Sequence, residues 1–278
     1  MIVVTGGTGT IGRALIERAR GQDVLAVVRK PAGLGVEHAL GDFTQPETVT
    51  AHLSAGDRLF LNSMPFPGFA ESFSTVIDLA KAVGVAQIVT VSVRGAKPGN
   101  PLSSGMHGEV DEHLRASGVS YAILQPASFM QNLIGDLRGD RFYGSWGDSR
   151  MNYIDARDIG DVAAALLTGP ISESQDYLLT GPQSFSHAEI AAGMTAALGR
   201  EIRYVDLPVA EMSARLAAEG VPEPYATDLP IVQSTVADTD WWEVNSTVQD
   251  VTGHPPRTLA QFLADHANAF HPASPDDF

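Results

Sequence analysis

The sequence contains no cysteine, which excludes disulfides, thiolate nucleophiles and cysteine-bound metals. It has no apolar run of membrane-spanning length, and no charged-then-apolar leader precedes the first apolar stretch at Ile2. A cytoplasmic location is the expectation. Basic charge is scarce: 18 Lys and Arg stand against 33 Asp and Glu, a net charge of −15. That field repels nucleic-acid backbones and anionic membrane surfaces, and the nearest approach to a basic patch is the pair Arg29-Lys30. No serine sits on a Gly-x-Ser-x-Gly turn, which disfavours a serine hydrolase. His107 and Asp111 have the i,i+4 spacing of paired metal ligands, but no third ligand lies nearby in sequence, so no metal is expected. Repeats and low-complexity segments are absent as well.

What is present is Ile2-Val3-Val4-Thr5-Gly6-Gly7-Thr8-Gly9-Thr10-Ile11-Gly12, a buried strand running through a glycine turn into a helix. The helix start points free N–H groups and a positive dipole end over the turn, where a dinucleotide pyrophosphate fits. Gly6, Gly9 and Gly12, at spacing three, remove side-chain bulk, and with Thr8, Thr10 and Ile11 they form the candidate pyrophosphate cradle. Apolar strands near 2–5, 23–28, 36–40, 57–62, 86–92 and 119–125 alternate with helices near 11–20, 46–53, 69–83 and 105–117. That alternation is the signature of a parallel sheet built from βαβ units. Gly84 and Gly118 stand where helix C-termini favour glycine.

The expected fold class is α/β, a doubly wound parallel sheet with a smaller C-terminal α/β lobe. We place the dinucleotide-binding domain at 1–128 and 149–182, and the lobe at 129–148 and 183–278. A strand at 151–155, a helix at 158–168 and a strand at 177–180 are expected to return to the first domain. Ser186-x-x-Glu189 predicts a capping box, and 221–230 reads as a proline-rich connector with a partly helical continuation.

Arg29 and Lys30 follow the second strand, where this architecture faces the adenosine ribose. An acid there accepts the 2′-hydroxyl, whereas arginine suits a 2′-phosphate, so Arg29 argues for NADP(H); the alternative is a solvated surface arginine. Gly41-Asp42-Phe43 follows the third strand. Asp42 either accepts from the adenine amino group or serves as the turn residue that its glycine neighbour suggests. Asn62, Ser63 and Met64 end the fourth strand and run beside the adenosine half.

These runs occur in order with Ser117-Gly118-Val119-Ser120-Tyr121, Gln125-Pro126-x-x-Phe129-Met130-Gln131-Asn132-Leu133, Tyr153-Ile154-Asp155-Ala156-Arg157-Asp158-Ile159 and Leu179-Thr180-Gly181-Pro182. As an ordered set they resemble the NmrA-like branch of atypical short-chain dehydrogenases/reductases, over nearly the whole chain. The resemblance implies a Rossmann domain binding NADP(H) and a small C-terminal substrate lobe. Pro126 and Phe129 join the candidate cofactor contacts.

The wider superfamily protonates its product oxygen with a Tyr, aided by a Lys four residues on, and no Tyr-x-x-x-Lys exists in this chain. Setting Asp111 and Leu114 against the superfamily's helix pattern puts His107 at the lysine position and Ser103 at the tyrosine position. His107 is then the best acid or ribose anchor, unless it is a helix-surface histidine paired with Asp111. Ser92 ends the fifth strand beside the expected nicotinamide and either donates to a carbonyl or bonds its own loop.

Reduction of an isolated ketone makes an alkoxide about as basic as hydroxide, near the ~16 of water, which needs an acid. A quinone, or a ketone conjugated to phenols, gives a phenolate-like oxygen of pKa about 10, which can leave before protonation. Met130, Asn132, Tyr143, Trp146, Tyr225 and Trp241 are the candidate substrate contacts, and their rings could equally be lobe core. The expected function is an NADPH-dependent reductase of a small planar aromatic ketone or quinone, monomeric or homodimeric, with no nucleic-acid or membrane partner. The resemblance also permits a regulatory protein that binds NADP(H) without turning it over.

Overall fold

A computed structural model describes residues 1–270. Its strands, in chain order, are β1 (Ile2–Thr5), β2 (Val24–Val28), β3 (Glu37–Leu40), β4 (Arg58–Leu61), β5 (Gln87–Val91), β6 (Tyr121–Pro126), β7 (Ser128–Phe129), β8 (Arg141–Gly144), β9 (Arg150–Ile154), β10 (Gln175–Leu179), β11 (Ser184–Ser186) and β12 (Arg203–Asp206). The helices are α1 (Thr10–Arg18), α2 (Pro46–Thr50), α3 (Phe69–Val83), α4 (Leu102–Ser117), α5 (Asn132–Asp136), α6 (Ala156–Thr168), α7 (His187–Leu198), α8 (Val209–Ala218), α9 (Tyr225–Thr235), α10 (Thr247–Thr252) and α11 (Leu259–Asp265).

The chain divides into two compact units: Met1–Pro126 with Ala156–Leu179 and Thr247–His254, and Ala127–Asp155 with Thr180–Ser246 and the residues from Pro255 on. The part of the expected lobe beyond Phe270 lies outside the described residues.

The first unit is a seven-stranded parallel sheet in the order β10-β6-β5-β4-β1-β2-β3. The order follows from the right-handed crossovers that connect parallel strands through helices. After β3 the chain returns to the other side of β1 and pairs β4 against it, so the strand order reverses between β1 and β4. Central strands are covered on both faces, which is why β1, β4 and β5 are mostly apolar, with even Gln87 and Thr90 of β5 buried. Phe69, Phe73, Val76 and Ile77 of α3 and Val110 and Leu114 of α4 pack on Leu59, Leu61, Ile88 and Ile123 to form the core of one face. On α1 and α6, Arg18 Nε donates to Asp161 Oδ1 at 2.7 Å.

The fold is the Rossmann-like α/β class that the strand–helix alternation predicts. Gly84 and Gly118 close α3 and α4 in the left-handed region, at φ 88° and 79°. Helix α4 begins three residues earlier than expected, at Leu102, directly after Pro101.

In the second unit β9 pairs antiparallel with β11 and parallel with β7, and β12 pairs parallel with β8. The sequence reading returned β9 to the first domain; it belongs here because Met151 and Tyr153 enter this unit's own core beside Met130, Phe142, Ile190 and Met194. The capping box on α7 is present: Ser186 Oγ accepts from the Glu189 N–H at 3.2 Å, and Glu189 Oε2 accepts from the Ser186 N–H at 2.9 Å. The expected connector at 221–230 is more helical than its prolines suggest, since α9 starts right after Pro224 and carries Pro230 inside it.

Candidate functional site

At the point where the strand order reverses, Thr5 ties the ends of β1 and β4. Its hydroxyl donates toward the Phe60 carbonyl at 3.0 Å and accepts the Asn62 N–H at 2.8 Å. The turn is then closed by Gly9 N–H to Gly6 O at 3.1 Å, and α1 opens with Arg13 N–H on Gly9 O at 2.9 Å. The three glycines differ in what demands them. Gly6 has φ +64°, and a Cβ there would come within 2.6 Å of the Asn62 carbonyl oxygen. A Cβ on Gly12 would lie 2.4 Å from Gly6 O and 2.7 Å from Gly7 Cα. Gly9 has ordinary extended backbone (φ −80°, ψ 173°), and its Cβ would meet only Gly6 O, at 3.5 Å. The protein does not need glycine at position 9, so the open space over the turn suits a ligand whose backbone-hugging approach a side chain would block. That cradle, at a strand-order reversal and a helix N-terminus, fits a dinucleotide pyrophosphate.

Arg29 and Lys30 are exposed immediately after β2. Asp42 forms the turn that its neighbour Gly41 suggests: its Oδ1 accepts from the Thr44 N–H at 2.9 Å and the Thr44 hydroxyl at 3.0 Å. Those bonds hold its carboxyl below the ordinary value, and the charge of Arg29 lowers it further, so Arg29 and Asp42 belong to one local field. Phe43 stacks on Phe73 with ring centres 4.8 Å apart. Asn62 and Ser63 are half-buried, whereas Met64 is 83% exposed. Pro126 is buried at the end of β6, and Phe129 belongs to the second unit.

Two expectations about catalysis change. Ser92 is 1% exposed and donates its hydroxyl to Asp111 Oδ2 at 2.6 Å, so it braces the end of β5 against α4 rather than facing a substrate carbonyl. His107 is buried with its ring edge-on to Phe69 at 5.0 Å, and burial lowers its pKa to about 4. A neutral imidazole at physiological pH is not the acid that the sequence suggested. Nor is it the helix-surface partner of Asp111, because Asp111 is 1% exposed and engaged by Ser92. Burial raises the Asp111 carboxyl to about 6 despite the Ser92 bond and the charge of Arg115, 4.0 Å away. Sequence reasoning missed this carboxyl as a partner of Ser92: the two lie 19 residues apart, and only the α4–β5 packing joins them.

In the second unit, Met130 is fully buried in the core and cannot touch a substrate there. Tyr143 carries the Arg215 guanidinium over its ring at 3.7 Å. Trp146 stacks on His187 with ring centres 4.7 Å apart, and its backbone N–H donates to the Tyr204 hydroxyl at 3.0 Å. Asn132 is exposed, and Tyr225 and Trp241 are half-buried. A pocket of about 630 Å³ opens within this unit, lined by Trp146, Asp206, Val209, Val236 and Trp242 among others. Of the expected substrate contacts, Trp146 lines it.

Comparison with known proteins agrees with this geometry. The NAD(P)H-binding family matches residues 6–170. An NAD(P)H azoreductase from Xenophilus azovorans is 36% identical over 97% of this chain and 99% of its own. Quinone oxidoreductase 2 from Escherichia coli (strain K12) is 27% identical over 95% of this chain and 98% of its own. The crystal structure of the Escherichia coli NADPH-dependent quinone oxidoreductase complexed with NADPH superposes with a TM-score of 0.85, at 26% identity, covering 96% of this chain and all of that one.

Proposed function

This chain belongs to the NAD(P)H-binding family, and from that membership we propose that its substrate is a planar quinone, hydroxyazo dye or aromatic ketone conjugated to a phenol, reduced without a protein-borne proton donor. The protein is an NAD(P)H-dependent oxidoreductase. When bound, the nicotinamide cofactor supplies the hydride. The chain holds it with the Gly6–Gly12 turn around the pyrophosphate and with Arg29 at the ribose 2′-phosphate.

The observation that carries the substrate class is the state of the two groups best placed to act as acids. Ser92 is committed to Asp111, and His107 is neutral. A product oxygen that is stable as a phenolate, of pKa about 10, takes its proton from water after leaving. A ketone whose product is a plain alkoxide has no such stable anion to form, and its reduction is slow without an acid. The quinone activity in the name of one curated relative falls on that side of the division, and the azo activity in the other's name does so for a hydroxyazo dye, whose quinone–hydrazone form leaves the charge on a phenolate oxygen.

NADPH consumption should therefore be measured with a naphthoquinone, a hydroxyazo dye, an aryl ketone conjugated to a phenol and an aliphatic ketone. Turnover of the first group with the aliphatic ketone inert is expected. Rapid reduction of the aliphatic ketone alone overturns the reading, and tight binding of both cofactor forms with no turnover of anything favours a sensor.

Cofactor choice has its own test. Arg29→Ala removes charge-assisted hydrogen bonds worth roughly 1.5–3 kcal/mol, so NADPH should bind about 10- to 100-fold more weakly while NADH changes little. Equal losses for the two would remove Arg29 from the ribose site.

A further inference from the structure

The pocket of about 630 Å³ in the second unit has the dimensions of a small-molecule site and a lining of unusual polarity. Its apolar walls include the indoles of Trp146 and Trp242, and Trp242 is 54% exposed although it is the kind of ring that a protein ordinarily covers. One face of Trp146 is already covered by His187, which fixes the indole plane. Trp146 is held at its backbone too, by the bond to Tyr204.

The charged groups of the lining are Asp148, Asp206 and Arg150. Arg150 is engaged within the unit: its guanidinium pairs with Glu189 at 2.9 Å and donates to the Ser184 carbonyl at 2.7 Å. Asp206 is oriented by two donors on one oxygen, the Tyr204 hydroxyl at 2.6 Å and the Gly147 N–H at 2.8 Å. Both fall on Oδ1, and Asp206 makes no ion pair among the described residues. Asp148 likewise makes no ion pair among the described residues. The lining thus joins two π surfaces to two carboxylates whose charge no neighbouring cation neutralises.

We propose that this pocket binds a flat, delocalised aromatic cation. A ring system of three fused rings fits the volume. Indole faces attract a cation by their quadrupole, and more strongly when it is shielded from water. The carboxylates supply attraction without a rigid hydrogen-bond geometry, which suits a cation whose charge is spread over its rings. A sulfonated aromatic of the same size meets two like charges and is rejected. Binding here requires neither the dinucleotide nor turnover.

The experiment is a calorimetric titration of the full chain, without NADPH, using 10-methylacridinium as the cation and anthraquinone-2-sulfonate as the anion of similar size. Saturable binding of the cation alone is expected, weakening as salt rises. Asp148→Asn/Asp206→Asn keeps the Oδ1 acceptor for Tyr204 and Gly147 and should weaken the cation roughly tenfold. Trp242→Ala, at an exposed ring, should weaken it by about 2- to 30-fold, the range of one cation–π contact. The exposed single variant Asp148→Asn cannot disturb folding through lost contacts and should by itself reduce the salt dependence. Equal affinity for the sulfonate, or an unchanged cation affinity in the double variant, overturns the proposal. Because no cofactor is present, such a failure leaves the quinone and azo assays to be judged separately.

Discussion

Gly9→Asp is expected to weaken NADPH binding by at least about 100-fold while leaving the melting temperature unchanged or slightly higher, whereas Gly12→Ala loses both affinity and stability. Position 9 is the N-cap of α1, with extended backbone that any residue adopts. Aspartate is a favoured N-cap and complements the helix dipole, so the fold gains a few tenths of a kcal/mol or loses nothing. Its carboxylate, however, stands in the cradle meant for a diphosphate, with bulk and charge both against the ligand. Loss of a charge-assisted anion site together with like-charge repulsion amounts to roughly 3 kcal/mol or more, hence the two decades. At Gly12 the added methyl meets backbone at 2.4 and 2.7 Å, atoms that cannot rotate away. Forced overpacking of that kind costs roughly 1–3 kcal/mol and displaces the helix from the turn. Fluorescence titration with NADPH and thermal unfolding, run on both variants, separate the two requirements. Threefold or smaller weakening by Gly9→Asp would show that the cradle holds something other than a phosphate.

Replacing His187 by glutamine is expected to make the second unit more resistant to acid. His187 is 2% exposed, its Nε2 lies 3.0 Å from the Tyr153 hydroxyl, and its Nδ1 is buried without a partner. Burial lowers its pKa from 6.5 to about 4. A histidine with a lowered folded pKa contributes stability that is complete above pH 6.5 and is lost as pH falls toward 4, because the unfolded chain takes up the proton first. The loss is roughly 3 kcal/mol at ~1.4 kcal/mol per unit. In the first unit His107 creates the same loss, but Asp111 opposes it: a buried acid raised to about 6 favours the folded state as it protonates over a similar window. The two offset each other there, and in the second unit the Asp136 carboxyl, raised to about 6 by burial, opposes His187 in the same way. All three tryptophans, Trp146, Trp241 and Trp242, belong to the second unit, so intrinsic fluorescence reports on it selectively. The acid-unfolding transition seen by fluorescence is expected at lower pH in His187→Gln, which cannot charge, than in the parent chain. An identical midpoint in that variant would mean that another group governs the acid response.

The sheet was legible because its central strands are apolar on both faces and its turns are made of residues chosen for backbone geometry. The Gly6–Gly12 turn, the α3 and α4 stops and the α7 capping box are all local chemistry, readable within a few residues. What escaped was set by partners distant in sequence. Whether β9 pairs with one sheet or another depends on β11, some thirty residues on. That His107 faces Phe69 rather than solvent depends on how α3 meets α4. The commitment of Ser92 to Asp111 is of the same kind: each residue type suggested activity, and only their meeting shows a brace. Met130 illustrates the remaining difficulty, since an apolar residue next to a candidate site reads the same whether it lines a pocket or fills a core.

The chain passes between its two units at residues 126/127, 155/156, 179/180, 246/247 and 254/255. Neither unit is therefore a continuous stretch of gene, and even α10, a short helix packed with the first unit's α6 and β10, is encoded beyond nearly seventy residues of the second. Such an arrangement does not arise by fusing two finished modules end to end. Nor can the second unit be removed by one cut: a chain ended after β10 loses α10, and with it a helix that packs on α6 and β10 of the first unit.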